Sequence, residues 1–324
     1  MKEHFPKNIM LTIFLLCLIF FGAGILIGKL TSKTVVKPVI LREGGYKYIN
    51  PVLLCNTNNS QAYNEDTSLS KKLVSYNQKS SENDISIYFL SLITGKWASV
   101  NENETYSPAS MLKVPTIVET LKYAETNPYI ISKQVYYDGS FDNNKAEYFK
   151  PQKAILPGRY YTIDQLLTYI ITYSDNNALQ LLHNTINKDS FKNLYKDLGI
   201  EIPANSIDFM SAKTYSLFLR VLYNSTYLSR ESSEKVLKLM VTSDFTDGLQ
   251  AGVPKPVEVA QKFGERQIFK PNGTLTSIEL HDCGIVYMPN KPYILCVMTR
   301  GQDFESLTLA IKDISKLVYD YVSK

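Results

Sequence analysis

Residues 107–115 read SPASMLKVP, and the character of the chain changes across them. Upstream, DISIYFLSL (84–92) and TGKWASVN (94–101) are apolar, β-branched or aromatic runs around a glycine-containing turn, the pattern of paired strands. A short amphipathic helix, LSKKLVSYNQ (69–78), precedes them. Downstream, apolar residues recur every three to four positions in MLKVPTIVETLKYAE (111–125), TIDQLLTYIITYS (162–174), NNALQLLHNTI (176–186), DSFKNLYKDLG (189–199), SAKTYSLFLRVLYN (211–224) and SSEKVLKLMVTS (232–243), so all of these are predicted helices. Strand signals return in PVEVAQKFG (256–264), HDCGIVYMP (281–289) and PYILCVMTR (292–300), and SLTLAIKDISKLVYDYV (306–322) closes the chain as an amphipathic helix. Strands joined by hairpins at both ends of the chain predict an α+β fold. One antiparallel sheet is flanked by N- and C-terminal helices, the intervening helices form a separate lobe, and a site is expected where the two meet.

The chain has 324 residues, enough for one large domain or two coupled ones. A formal net charge of +4 with no basic run or stripe excludes a nucleic-acid partner as the expectation. Its four cysteines, Cys17, Cys55, Cys283 and Cys296, form no CxxC and no Cys/His cluster, so no metal site and no cofactor are expected. Cys283 and Cys296 fall on neighbouring strands around the MPNKPY turn. Their spacing is read as diagonal, which predicts buried free thiols rather than a disulfide. At the N-terminus, Ile9 to Ile27 carry no charge over nineteen residues, close to the about 20 that a bilayer core requires. No small-x-small cleavage site follows. The expected organisation is therefore a membrane-spanning helical anchor at 1–28, a polar stalk at 29–67 with an extended segment in YKYINPVLL, and a globular domain at 68–324. Lysines lie on both sides of the apolar segment, so the charge rule does not orient it. The domain is placed outside the cytoplasm, as a monomer, because of the chemistry it is expected to perform.

Within SPASMLKVP, Ser110 and Lys113 stand three apart and share a face at a helix start. A buried lysine loses its proton more readily and can then take one from a serine hydroxyl. The first helical turn adds backbone N–H groups that stabilise negative charge. An SxxK pair is also what a capped helix with an exposed lysine looks like. In TYSDNNAL, Ser174–Asp175–Asn176 reads equally as a helix cap, or as a proton relay (Ser174) beside a donor to a substrate amide (Asn176). In AQKFG, Lys262 sits near a strand end, where it can hold a carboxylate, and Gly264 permits close backbone approach.

SxxK, SDN and a K-x-G triplet on a late strand, in this order, form the motif set of class A β-lactamases and penicillin-binding proteins. The chain resembles the class A β-lactamase-like serine hydrolases over about residues 68–324. YSPASMLKVPTIVE, YTIDQLLTYIITYSDNNALQLL and DGLQAGVP add to the likeness. The resemblance implies the β-lactamase-like fold, with Ser110 as acyl-accepting nucleophile, Lys113 as its base, Ser174 and Lys262 in the catalytic set, and Asn176, Gly264 and Glu265 on the substrate. It also implies an oxyanion hole from the backbone N–H groups of Ser110 and Glu265. The implied substrate is a β-lactam, or else a cell-wall peptide.

Two positions depart from the family pattern. Phe263 stands where a Thr or Ser hydroxyl usually helps bind the substrate carboxylate, leaving Arg266 or Lys262 to compensate. The loop that carries a deacylating Glu, with an Asn four residues on, is shortened here; Glu201 and Asn205 have the spacing. Without that glutamate the acyl-enzyme persists, as in a penicillin-binding protein or D-Ala peptidase. A non-catalytic cell-wall-binding module that keeps the fold is the reading from a different class. A Ser–His–Asp triad would have to draw on His4, His183 or His281, of which His4 precedes the apolar segment, His183 lies in an apolar helix and His281 begins a strand.

Overall fold

A computed structural model describes residues 7–31, 40–55, 64–80, 83–186, 193–204 and 206–324. The chain divides into two compact units, Met1–Val39 with Asn56–Gln61, and Ile40–Cys55 with Ala62–Lys324. The first contains helix α1 (Lys7–Thr31), whose described apolar side chains, such as Phe14 and Phe20, are exposed, as is the free thiol of Cys17. The spanning helix expected here is not established. Among the described residues no helix is long and apolar enough to cross a membrane.

In the second unit, β1 (Ile40–Arg42) pairs with β2 (Val52–Cys55). The stretch read as a stalk is therefore not a free linker throughout. Tyr48 and Ile49 are buried, Glu234 accepts the backbone N–H groups of Lys47, Tyr48 and Ile49, and Asn50 N–H donates to Tyr223 O at 2.7 Å. Polar composition alone concealed this, because docking uses two side chains and backbone groups rather than an apolar face.

Next come α2 (Thr67–Lys79), β3 (Asp84–Ser91), β4 (Trp97–Val100), β5 (Thr105–Tyr106), a 3-10 turn (Ala109–Leu112) and α3 (Lys113–Thr126). A hairpin absent from the sequence reading, β6 (Gln134–Tyr137) with β7 (Arg159–Thr162), carries the long loop 138–158. The helical lobe continues with α4 (Ile163–Thr172), α5 (Asn176–Thr185) and α6 (Asn193–Asp197). A two-residue strand, β8 (Met210–Ser211), pairs with β5, and α7 (Ala212–Tyr223) and α8 (Arg230–Val241) follow. β9 (Val259–Phe269), β10 (Leu275–Val286), β11 (Tyr293–Gly301) and α9 (Phe304–Val322) complete the chain.

The main sheet has the order β4-β3-β11-β10-β9, and every pair in it is antiparallel. Successive side chains of a strand point to opposite faces. On β11, Ile294, Cys296 and Met298 enter the core shared with the helical lobe, whereas Tyr293, Leu295 and Val297 enter the core beneath α2 and α9. Both faces are covered, so this strand is apolar without a break rather than alternating. Each such side chain contributes roughly 1.5–3 kcal/mol when fully buried.

The same hairpin corrects the expectation for its cysteines. Val286 pairs with Tyr293 beside the turn, and counting back three residues along each strand places Cys283 directly opposite Cys296. They are not diagonal free thiols. Their Cα atoms lie 4.0 Å apart and they form a disulfide.

Candidate active site

The nucleophile turn is held from both sides. Ser110 lies in the 3-10 turn, where residues i and i+3 nearly eclipse, and this brings it over Lys113, the first residue of α3. Ala109 adopts a left-handed φ of 45°, uncommon for a residue with a side chain. Tyr215 OH donates to Met111 O at 3.1 Å. On the other side, His281 Nε2–H donates to Ser107 O at 3.1 Å while its Nδ1 accepts from Thr299 N–H at 3.1 Å. Both ring nitrogens of His281 are thus committed to backbone groups, and burial pushes its pKa down to about 3. It is a neutral imidazole that fixes the turn, not the base of a Ser–His–Asp triad.

Lys113 is buried and spends all three of its donors nearby: on Ser110 Oγ at 3.0 Å, Ser174 Oγ at 3.0 Å and Ser174 O at 2.6 Å. Lys262, also fully buried, donates to the same Ser174 Oγ at 3.0 Å and to Phe263 O at 3.0 Å. One serine hydroxyl therefore bridges two lysines. Burial pushes the pKa of Lys113 down to about 8, against the opposing pull of Glu147 and Asp175. Burial, reinforced by the charge of Lys113, holds Lys262 well below the usual lysine range. Loss of one proton turns a lysine lone pair toward a serine hydroxyl, which is what a base requires.

In the second motif the helix-cap reading holds, with Asp175 as the capping residue, while Ser174 and Asn176 face the lysines and the cavity. Asp175 caps α5, accepting from Asn177 N–H at 2.8 Å and Ala178 N–H at 3.3 Å, and its two oxygens also take Asn144 Nδ2–H at 2.8 Å and Ile155 N–H at 2.7 Å. Ser174, with a left-handed φ of 55°, lies at the C-terminal end of α4 beside both lysines. Asn176 opens α5, lines the pocket and donates through Nδ2 to Glu147.

β9 supplies the third element. A Cβ on Gly264 would lie 2.6 Å from Pro108 O and 3.0 Å from Met111 Cγ, so only glycine lets the strand pass this close to the nucleophile turn. Phe263 does not reproduce a hydroxyl. Its ring is buried, stacked on Phe245 at 4.3 Å between centroids, and lies under Lys262 Nζ at 4.0 Å. Arg266, expected as a substitute partner for a carboxylate, is engaged by Asp208 at 2.9 Å, and Arg300 is engaged by Glu279 at 2.7 Å.

Ser110, Lys113, Asn176 and Glu265 line one cavity of about 580 Å³ together with Glu147, His183, Tyr195, Ile202 and Phe209. Ser174 and Lys262 lie beneath it: Ser174 accepts from Lys113 and from Lys262. Glu201, the candidate deacylating base on the shortened loop, is exposed and does not line this cavity; Asn205 lies outside the described residues. Sequence reasoning missed Glu147 and Asn144, both on the loop 138–158, and the pocket position of His183. Only the EYF of KAEYFKP, an acid beside two aromatics, singled out that stretch, and polar composition masked it.

The beta-lactamase enzyme family model matches residues 68–322, nearly the whole second unit. The chain belongs to the beta-lactamase enzyme family. It is thereby a β-lactamase-like serine hydrolase, which agrees with the lysine-flanked Ser110. Similar solved structures include a mutant of PBP-A as its acyl-enzyme complex with penicillin G, 20% identical with a TM-score of 0.68, covering 81% of this chain and 98% of that one. The TLA-3 extended-spectrum beta-lactamase is 18% identical with a TM-score of 0.67, covering 80% and 99%. A beta-lactamase from Chitinophaga pinensis is 19% identical with a TM-score of 0.64, covering 78% and 99%. At these identities the likeness establishes the β-lactamase fold. A comparison with curated proteins finds no match.

Proposed function

We propose that this hydrolase opens a β-lactam or a related amide carbonyl through an acyl-Ser110 intermediate and releases the acyl group slowly. The observation that carries the reading is Lys113 Nζ within 3.0 Å of both Ser110 Oγ and Ser174 Oγ. In its neutral form Lys113 takes the Ser110 proton as Oγ bonds to the carbonyl carbon. The carbon–nitrogen bond then breaks, and the nitrogen receives that proton by way of Ser174 Oγ. The backbone N–H groups of Ser110 and Glu265 are assigned to the developing oxyanion, Asn176 to the acyl amide, and Gly264 to the close approach of β9. Slow release is supported by the exposed position of Glu201. A mutant of PBP-A, similar in fold, is known as its acyl-enzyme complex with penicillin G, which supports the acyl-enzyme reading.

The test is intact-mass spectrometry after incubation with benzylpenicillin. Ring opening expels nothing, so the expected adduct carries the whole penicillin mass, persists for minutes or longer, and is absent from Ser110→Ala. A folded wild-type protein that no β-lactam or fluorophosphonate labels is instead a binding module, and the catalytic reading then falls.

The uncharged run Ile9–Ile27 is proposed as a membrane anchor, with the catalytic domain outside the cytoplasm. The Cys283–Cys296 disulfide supports an oxidising compartment. Full-length protein is expected in the alkali-resistant membrane fraction, and a chain beginning at residue 40 in the soluble one. Recovery of both in the soluble fraction refutes the anchor.

A further inference from the structure

Two carboxyl groups meet at the mouth of the Ser110 cavity from opposite walls. Glu147 comes from the loop 138–158 and accepts from Asn176 Nδ2. Glu265 comes from β9 and accepts from Tyr148 N–H at 2.7 Å and Phe149 N–H at 3.1 Å, tying the strand to that loop. Both carboxyls line the same cavity, and burial together with the neighbouring Glu147 pushes the pKa of Glu265 up to about 8. Together they divide the catalytic cavity from a neighbouring one of about 420 Å³ that they also line.

The surrounding cations are already engaged elsewhere. Lys113 and Lys262 lie below, buried and already bonded to Ser174. Arg266 and Arg300 are engaged by Asp208 and Glu279. Phe263 offers no hydroxyl, and the wall formed by Leu179, Ile202 and Phe209 is apolar. An anionic substituent entering the mouth meets two carboxyls and no free cation among the residues lining the cavity. A primary ammonium entering there can donate hydrogen bonds to both carboxyl groups, and any proton it displaces from Glu265 leaves to solvent.

We propose that Glu147 and Glu265 act as a specificity pair that favours acyl donors carrying a primary ammonium on the acyl side chain and disfavours those carrying a carboxylate there. This deepens the acyl-Ser110 reading and rests on it. Ampicillin, benzylpenicillin and carbenicillin share one lactam nucleus and present an ammonium, no charge and a carboxylate at the same side-chain carbon. Acylation followed by intact mass at pH 7 is expected to run in that order. Ampicillin and carbenicillin should differ by about ten-fold, the size a single charge contributes at a partly hydrated contact. In Glu147→Gln/Glu265→Gln the ratio should fall toward one, and in wild type it should shrink with added salt.

Equal, measurable acylation rates for the three in wild type overturn the proposal without reference to any variant, so loss of folding in the double variant does not protect it. A ratio unchanged in a folded Gln variant overturns it as well. Calorimetric binding of the same three penicillins to Ser110→Ala separates the two levels of the argument. Ammonium-over-carboxylate order in binding with no acylation in wild type supports the pair and sinks the nucleophile. Acylation with no discrimination in either assay, or no binding of any of the three, sinks the pair.

Discussion

The floor and the mouth of the cavity differ in how closely they keep the family pattern. On the floor, Ser110, Lys113, Ser174 and Lys262 form a continuous chain of hydrogen bonds, each about 3.0 Å long, below the rim where substrate enters. At the mouth, a buried aromatic stands where a hydroxyl is usual, the expected glutamate faces solvent, and two carboxyls bridge the walls. In the proposed mechanism the floor performs a proton transfer whose geometry is the same for any acyl donor. The mouth contacts whatever distinguishes one donor from another and whatever frees the product. Attack is therefore retained while recognition and release are rebuilt.

The sharpest way to break this comparison is Lys113→Ala. If the floor is a proton-transfer unit, acylation should fall by at least about 10³-fold, the scale of a lost general base acting on a nucleophile. A fall of only a few-fold in stopped-flow or timed mass measurements would mean that the floor is scaffold. Changing pH comes next. With its pKa pushed down to about 8, Lys113 acts in its neutral form, so acylation by benzylpenicillin, whose side chain is uncharged and whose ring carboxylate does not titrate in this range, should rise about ten-fold per unit below pH 7 and level off above about 8. Because Glu265 is also pushed up to about 8, by burial and by Glu147, the profile should be repeated in Glu265→Gln, where the same rise isolates the lysine. A rate that falls across this range would exclude a neutral amine base.

Smaller effects test the seam between floor and mouth. Gly264→Ala places a methyl group against Pro108 O and Met111 and should cost about 1–3 kcal/mol in denaturant unfolding, with β9 pushed away from the turn. An unchanged midpoint would show that strand and turn are not in close contact. The smallest effect is expected at Glu201→Gln. The lifetime of the acyl-enzyme should stay within about two-fold of wild type, as for a solvated surface residue. A clear lengthening would return Glu201 to the site and bring the mouth nearer to the family pattern.

Much of the fold was legible because burial writes itself into periodicity. The amphipathic helices, the continuous apolar run of β11 and the β10–β11 hairpin all came from spacing and composition. The floor was legible because its residues lie in short motifs whose local geometry is nearly set by the chain: an i, i+3 pair on one turn, a cap at the start of α5 and a glycine on a strand. The hairpin β6–β7, the docking of Tyr48 and Ile49, and the register that pairs Cys283 with Cys296 were not read correctly. Each depends on one partner among many of similar composition, or on a count across a turn.

Local sequence thus determined the helices and strands, the α+β class and the grouping of Ser110 with its lysines, because neighbouring residues create these features and a packed core then preserves them. Tertiary structure alone decided that Glu147 meets Glu265, that Arg266 is engaged by Asp208, and that Glu201 stays in solvent. The first depends on where a loop without periodicity meets a strand more than a hundred residues away, and the others on which side chain a chain segment happens to pass. Charge interactions across such a gap leave no pattern in composition, since an exposed glutamate and a paired one are the same letter.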